Sequence, residues 1–324
     1  MACVCAPLRS RVALAALSFV WSPLRSRSAL AALVLLSACG PAENRPAARS
    51  AAAESREQFG VDDFGDTIRA PARAERIVSL TPATTEILFA LGAGDRLVGR
   101  DTYSRWPDSA QLVTELGPGL RPNIEAVLAA KPDLVLLYAS QDNRAAAQRL
   151  RDAGITTAAF KVDRIQQFDQ LTRLLGRLVG DSARGALVAD TVMRTIDSVR
   201  ALTRSLPRVS VVMPSWDQPL IVIGGGSFLS ELVTVAGGRN VYDSLSAPSP
   251  TVTFEDVIQR NPDAVLAGPE RAAIIRASAK WRALPAIRAG RLLVLDTTLV
   301  LRPAVRLGEG AVSLARLLHP ELAR

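Results

Sequence analysis

Four aromatic residues and one arginine follow apolar segments that have the length of buried strands. They are Tyr103, Trp106, Tyr138, Trp216 and Arg302. In open α/β sheets, ligands bind beyond the carboxyl ends of the strands, so these residues are candidate ligand contacts. Flat side chains hold a large planar ligand with little loss of rotamer entropy. The chemistry indicated is binding of a bulky molecule; the alternative for each residue is that it fills the edge of a core.

Residues typical of catalytic or metal centres are scarce. The sequence has one histidine, His319, and three cysteines, Cys3, Cys5 and Cys39. A Ser-His-Asp or Cys-His mechanism and a histidine-built zinc site are therefore not expected. We interpret His319 as a solvated surface residue. The glycine clusters fit neither a dinucleotide loop nor a P-loop, so the sequence predicts neither an enzyme nor a cofactor.

A helix-turn-strand unit occurs twice, as NIEAVLAAKPDLVLL at 123–137 and TFEDVIQRNPDAVLA at 253–267. Each copy has an N-cap residue, then a glutamate in the first helical turn, Glu125 or Glu255, and a Pro-Asp turn before an apolar strand. A single first-turn carboxylate is explained by the helix dipole. A pair at equivalent positions of a repeat favours contact with a two-fold partner.

Apolar strands and helices alternate from residue 76 onward, which predicts parallel sheets covered by helices. One segment, 181–206, breaks the alternation because its apolar residues keep helical spacing over about six turns. We therefore predict an α/β protein with two Rossmann-like parallel-sheet lobes bridged by a single long α-helix. The lobes are residues 73–180 and 207–324, and the bridging helix is 181–206.

The N-terminal segment has the features of an export signal. Basic pairs precede short apolar runs, and LSACG at 36–40 resembles a lipobox. We expect residues 1–38 to be a lipoprotein signal peptide, Cys39 to carry the lipid, and residues 39–72 to be a flexible tether. The alternative is an ordinary signal peptide with a chance cysteine after its cleavage site.

The positive net charge does not indicate a nucleic-acid partner. Half of the net charge of +8 belongs to four arginines that precede Cys39, where no acidic residue occurs. The remaining arginines are spread along the chain without a basic run.

Several segments resemble one family in combination and in order. They are RIVSLTPATTEILFALGAGDRLVG, DTYSRWP, PNIEAVLAAKPDLVL, PLIVIGGGSF to ELVTVAGGRNVY, and LRPAVRL. The resemblance covers about residues 74–320. It is to the substrate-binding lipoproteins of ABC importers for cobalamin, haem and iron-siderophores, and among these most to the members that bind vitamin B12.

This resemblance implies a ligand held between two α/β lobes and delivered to an ABC importer, made of a permease dimer and its ATPase subunits. It implies ligand contacts at Tyr103, Tyr138 and Arg302, with Trp106 or Trp216 as further aromatic contacts. It also implies permease docking through Glu125 and Glu255.

The ligand that the resemblance implies is cobalamin. Two positions that are aromatic in the B12-binding pattern fall within GPGLRP (117–122) and SAPSPT (246–251), so an iron-siderophore or haem is the alternative. We expect a monomer in the periplasm or at the cell surface, anchored through Cys39. An enzyme on this scaffold is disfavoured by the missing catalytic residues, and an adhesin by the matched glutamates.

Overall fold

The computed structural model describes residues 56–323. The signal peptide, Cys39 and most of the expected tether lie outside this range. Within it, two four-stranded parallel sheets form two lobes, and one long helix runs between them. The predicted fold class is confirmed. No helix in the described range is both long enough and apolar enough to cross a membrane.

The N-terminal lobe is built around one sheet with the strand order β4-β3-β5-β6. Its elements are β1 (Glu57–Val61), β2 (Thr67–Ala70), β3 (Ile77–Ser79), α1 (Pro82–Ala90), β4 (Leu97–Arg100), α2 (Ile124–Ala129), β5 (Leu134–Tyr138), α3 (Gln141–Asp152), β6 (Thr156–Phe160) and α4 (Ile165–Leu178). Short 3-10 helices span Gly94–Arg96 and Asp108–Leu112. The four residues 134–137 of β5 are fully buried, as its unbroken apolar sequence predicts.

The expectation of a flexible tether up to residue 72 is wrong for its last part. Residues 57–70 form the antiparallel hairpin β1-β2, and Phe59 and Ile68 are buried in the main core. The buried Asp62 ties the hairpin to the sheet edge: its Oδ2 accepts from the backbone N of Ala159 at 3.0 Å. Thr156 Oγ1 donates to the Arg69 carbonyl at 2.8 Å. The hairpin therefore belongs to the N-terminal lobe.

After the bridging helix α5 (Ser182–Thr203), the second lobe repeats the arrangement of the first. Its elements are β7 (Val209–Val212), β8 (Pro214–Asp217), β9 (Leu220–Val222), α6 (Phe228–Val235), β10 (Gly238–Asn240), α7 (Phe254–Arg260), β11 (Ala264–Ala267), α8 (Pro269–Ala277), α9 (Ala279–Arg282), α10 (Pro285–Arg288), β12 (Leu292–Val294), α11 (Thr297–Val300) and α12 (Leu307–Leu318). A 3-10 helix, Pro320–Ala323, follows. The sheet order is β10-β7-β11-β12, so in both lobes the first sheet strand lies inside the sheet.

The Pro-Asp turn of the repeated unit has the same structural role in both lobes. Asp133 Oδ2 accepts from the backbone N of Glu75 and of Arg76, just before β3. Asp263 Oδ2 accepts from the backbone N and the Oγ of Ser210, within β7. Each aspartate thus fastens the turn to the neighbouring central strand.

One core extends through both lobes along α5. Val192, Ile196 and Val199 of α5 are buried in a cluster that includes residues of α4, α6 and α12. Where α4 and α5 meet, a Cβ on Gly176 would lie 2.7 Å from the Cα of Gly185, so the close approach requires glycine. The bridging helix is therefore part of the packing of both lobes.

His319 is buried, contrary to expectation. Its ring Nε2 lies 3.2 Å from the Gly237 carbonyl oxygen, and its Nδ1 lies 3.5 Å from Glu321 Oε1. The adjacent Leu318 is buried in the main core, and His319, the C-cap of α12, is therefore held next to that core. His319 is therefore a packing residue at the end of the helix.

Candidate ligand-binding cleft

A cavity of about 800 Å³ lies between the lobes, beyond the carboxyl ends of the N-terminal sheet. Residues that follow β3, β4, β5 and β6 form one wall, and residues from α6, α11 and the loop after it form the other. Apolar wall residues include Leu80, Tyr138, Phe160, Phe228 and Leu301. The site lies beyond the carboxyl ends of parallel strands, as is general for open α/β sheets.

The N-terminal wall is held by a buried amide. Asn143 of α3 is fully buried, and its Nδ2 donates to the carbonyls of Gly119 and Tyr138, each at 3.0 Å. Gly119 packs so closely that an added Cβ would lie 1.9 Å from the Leu80 carbonyl oxygen. Since Gly119, Tyr138 and Leu80 all line the cavity, Asn143 fixes the shape of this wall without lying on it.

A chain of hydroxyl groups runs beneath the N-terminus of α1. Thr81 Oγ1, the N-cap, lies 2.8 Å from Thr84 Oγ1, which lies 2.7 Å from Ser79 Oγ. The chain continues through Thr85 Oγ1, which lies 2.8 Å from Ser79 Oγ and 2.9 Å from Ser104 Oγ. Ser104 in turn bonds a carboxylate on the cleft wall. Because these hydroxyls satisfy one another, the polar floor of the cleft is preorganised.

Two carboxylates line the cavity beside this floor. Asp101 is buried; burial raises its pKa, and hydrogen bonds from Ser104 and from the Tyr103 backbone N partly oppose this. Asp163 lies 3.2 Å from Lys161 Nζ. Burial, and then the Asp163 charge, raises the pKa of the Tyr138 phenol, so this wall favours a neutral phenol.

Arg302 of the second lobe reaches across to the first. Its Nη1 donates to Glu86 Oε1 at 3.2 Å, and its Nη2 donates to the Tyr103 carbonyl at 3.3 Å. Glu86 is only 1% exposed, and its other oxygen lies 4.0 Å from Arg306 Nε. Burial raises the pKa of Glu86 and the two arginines oppose that rise, Arg302 most. An ion network centred on a buried carboxylate therefore joins the lobes at the cleft wall.

Of the five candidate ligand contacts, the structure brings three together. Tyr103, Tyr138 and Arg302 line the cavity, and Tyr103 is 60% exposed at its edge. Trp106 and Trp216 are not on the cavity wall. The Trp106 ring lies under the Arg306 guanidinium, 4.6 Å from the ring centroid.

Trp216 lies away from the cavity because the chain turns back after β7 into the hairpin β8-β9. Its indole is 57% exposed and donates to the Gln218 carbonyl at 3.0 Å. Sequence reasoning did not single out the wall residues Asp101, Asp163, Phe160 and Phe228. Three of these follow or end a strand, so the rule that selected the tyrosines was also the signal for them.

Glu125 and Glu255 occupy the same position in equivalent helices. Asn123 caps α2 and Thr253 caps α7, each through a side chain that accepts a backbone N–H. Both glutamates are exposed, and neither forms a salt bridge within the described residues. The next turn of each helix exposes an apolar side chain, Leu128 or Ile258. The two lobes thus present matching surfaces of one acid and one apolar residue.

The described residues hold no cluster of three or more His, Cys, Asp or Glu side chains suited to a metal ion. What the geometry defines is a two-lobed ligand-binding protein with a preformed cleft. Residues 77–299 match the family described as Periplasmic binding protein, and the chain belongs to that family. It is a binding protein rather than an enzyme, and its relatives are substrate-binding proteins of ABC transporters.

Relatives of this chain include binders of different ligands. An uncharacterized ABC transporter substrate-binding lipoprotein of Bacillus subtilis (strain 168), YvrC, is 28% identical over 303 residues, or 89% of this chain and 94% of that protein. The structure of the periplasmic vitamin B12 binding protein BtuF of Vibrio cholerae matches with a TM-score of 0.68 and 25% identity, covering 78% of this chain and 99% of that one. The periplasmic haem-binding protein RhuT from Roseiflexus sp. RS-1 matches with a TM-score of 0.69 and 25% identity, covering 76% and 98%.

Proposed function

We propose that this protein captures cobalamin (vitamin B12) between its lobes and delivers it to the permease of an ABC importer. The observation that carries the proposal is the cavity of about 800 Å³, lined by Tyr103 and Tyr138 from one lobe and Arg302 from the other. Its volume falls within the range of sites for small molecules and cofactors. The apolar wall with few polar groups suits a flat ring system with polar side chains. The similarity to a B12-binding structure supports the same ligand.

An iron-siderophore or haem is the alternative ligand. Tyr103 favours it, because its phenol is exposed at the cleft edge and a tyrosine oxygen is a known ligand of haem iron. Arg302 would then face an acidic group of the complex. The similarity to a haem-binding structure supports this alternative.

Titration of the purified protein distinguishes these ligands. We expect cyanocobalamin to give a saturable calorimetric signal at micromolar or lower concentration. Tyr138→Ala should weaken that binding, whereas Gln148→Ala, at an exposed position of α3, should leave it unchanged. No signal with cyanocobalamin beside tight binding of haemin or a ferric siderophore would replace the first proposal with the second.

Docking to the permease is proposed to use Glu125 and Glu255. Exposed charges contribute little to folding stability, but complementary charges steer association and fix its register. Two matched acids on two similar lobes suit two permease subunits that each present a basic group. The exposed Leu128 and Ile258 supply apolar area beside each acid.

The chain offers a matched control for the docking test. Glu270 is also an exposed glutamate in the first turn of a helix, α8, and is not part of the repeated unit. Glu125→Ala with Glu255→Ala should leave ligand affinity unchanged and reduce ligand uptake by cells, whereas Glu270→Ala should change neither. If uptake is normal in the double variant, the two acids serve only the helix dipole.

Membrane attachment is proposed through a lipid on Cys39. LSACG at 36–40 supports this, and so does the lipoprotein name of the Bacillus subtilis relative. Cys39→Ala should move the protein from the membrane fraction to the soluble fraction, while Cys5→Ala should not. Unchanged fractionation of Cys39→Ala would contradict the anchor.

A further inference from the structure

Among the described residues, the one cation of the cleft wall is already paired with a carboxylate of the protein. Arg302 is the one basic residue among the cavity-lining residues of the described chain. Its two terminal nitrogens already donate to Glu86 and to the Tyr103 carbonyl. The buried carboxylate of Glu86 thus compensates the Arg302 charge from behind the wall.

The second guanidinium near this site, that of Arg306, does not line the cavity, and its Nε is buried without a hydrogen-bond partner in the described chain. Arg306 lies 4.0 Å from Glu86 Oε2, its Nη2 donates to the Thr298 carbonyl at 2.7 Å, and it covers the Trp106 ring. The nearby Lys161 pairs with Asp163. The wall itself carries two carboxylates, Asp101 and Asp163, whose oxygens accept hydrogen bonds.

An anionic group that enters such a cleft loses water and meets no unpaired positive charge. It would have to compete with Glu86 for Arg302, and displacing Glu86 leaves a buried carboxylate without its partner. An amide group is neutral, so it loses less on leaving water and does not need to displace Glu86 from Arg302, and its N–H can donate to a wall carboxylate.

We propose that Glu86 is a positioning residue that sets the ligand class, and that the cleft selects metal complexes with amide rather than carboxylate side groups. This inference rests on the proposed function, since it specifies the ligand of the same cleft. It predicts discrimination between ligands that differ only in one charge.

Two matched pairs of probes test the inference. The first is cyanocobalamin and its derivative in which one side-chain amide is a carboxylic acid; the second is haemin and its dimethyl ester. We expect the wild-type protein to bind the uncharged member of a pair about tenfold more tightly. Glu86→Gln should reduce that ratio because Arg302 becomes available to the carboxylate, while Glu270→Gln should keep it.

Equal or tighter binding of the carboxylate member by the wild-type protein would overturn the inference, whether or not Glu86→Gln folds. An unchanged ratio in folded Glu86→Gln would also overturn it. As a second variant, Arg302→Gln should strengthen the preference for the uncharged probe. If neither corrinoid binds, cobalamin is refuted as the ligand, and the haem pair still decides the charge preference.

Discussion

Removing the amide of Asn143 should loosen the cleft wall from behind. In Asn143→Ala, two hydrogen bonds are lost, to the carbonyls of Gly119 and Tyr138. Such bonds contribute about 1 kcal/mol each, and a buried acceptor left without a partner costs about 1–3 kcal/mol more. Asn143 Oδ1 is itself buried without a partner in the described chain, so its removal offsets part of the lost folding free energy. The higher helix propensity of alanine returns about 0.5 kcal/mol.

The expected result for Asn143→Ala is a decrease of about 2 kcal/mol in the free energy of unfolding, measured by urea denaturation. Ligand affinity should fall about fivefold, because binding must then order the wall segment around Gly119, at roughly 1 kcal/mol per residue. Gln148→Ala on the exposed face of the same helix is the control, with a change within about 0.5 kcal/mol. A stability loss below about 0.5 kcal/mol for Asn143→Ala would refute the view that this amide holds the wall.

Three further predictions test the repeat, the cleft and the hairpin. Asp263→Asn should lower stability by about 1 kcal/mol near neutral pH, because Asp263 loses charge-assisted bonds from Ser210. Those bonds hold the pKa of Asp263 below its ordinary value of 3.8, so this stability is present above that pH and is lost as the pH falls below it. Urea denaturation at neutral and acidic pH should show the difference between the variant and the wild-type protein disappearing in acid. Gly119→Ala should weaken ligand binding by more than about tenfold in calorimetry, since its Cβ would overlap the Leu80 carbonyl. Ile68→Ala should cost about 3 kcal/mol in denaturation, because Ile68 is fully buried.

Each of these three variants has an outcome that would contradict its prediction. A gap between Asp263→Asn and the wild-type protein that persists in acid would mean that the carboxylate charge is not its source. Normal affinity of Gly119→Ala would show that this wall moves freely. A negligible effect of Ile68→Ala would mean that residues 57–70 do not pack on the N-terminal lobe and belong to the tether.

The fold was accessible from sequence because its main signals are local. The segments 134–137 and 264–267 are apolar throughout, and the structure buries both completely. The hairpin at 57–70 escapes such reasoning, because it is rich in acidic residues and places few side chains in the core. Its attachment depends on contacts such as that between Asp62 and Ala159, 97 residues apart.

The site was accessible in part for a similar reason. The rule that ligands lie beyond strand ends finds Tyr103, Tyr138 and Arg302, since Tyr103 follows β4, Tyr138 ends β5 and Arg302 lies in the segment beyond β12. It fails for Trp216, because the turn after β7 leads into a hairpin. Glu86 escapes it as well, since its partner Arg302 is 216 residues away in the chain.

The bridging helix α5 fixes the separation between the two lobes. With 22 residues, α5 is about 33 Å long, and it packs on helices of both lobes within one core. A helix held in this way does not lengthen, so the two lobes that carry α2 and α7 are joined by a packed helix rather than by a flexible linker. If Glu125 and Glu255 dock as proposed, the importer must present its two basic contacts at one separation, and the duplicated lobes of a single chain would match the two subunits of a symmetric permease.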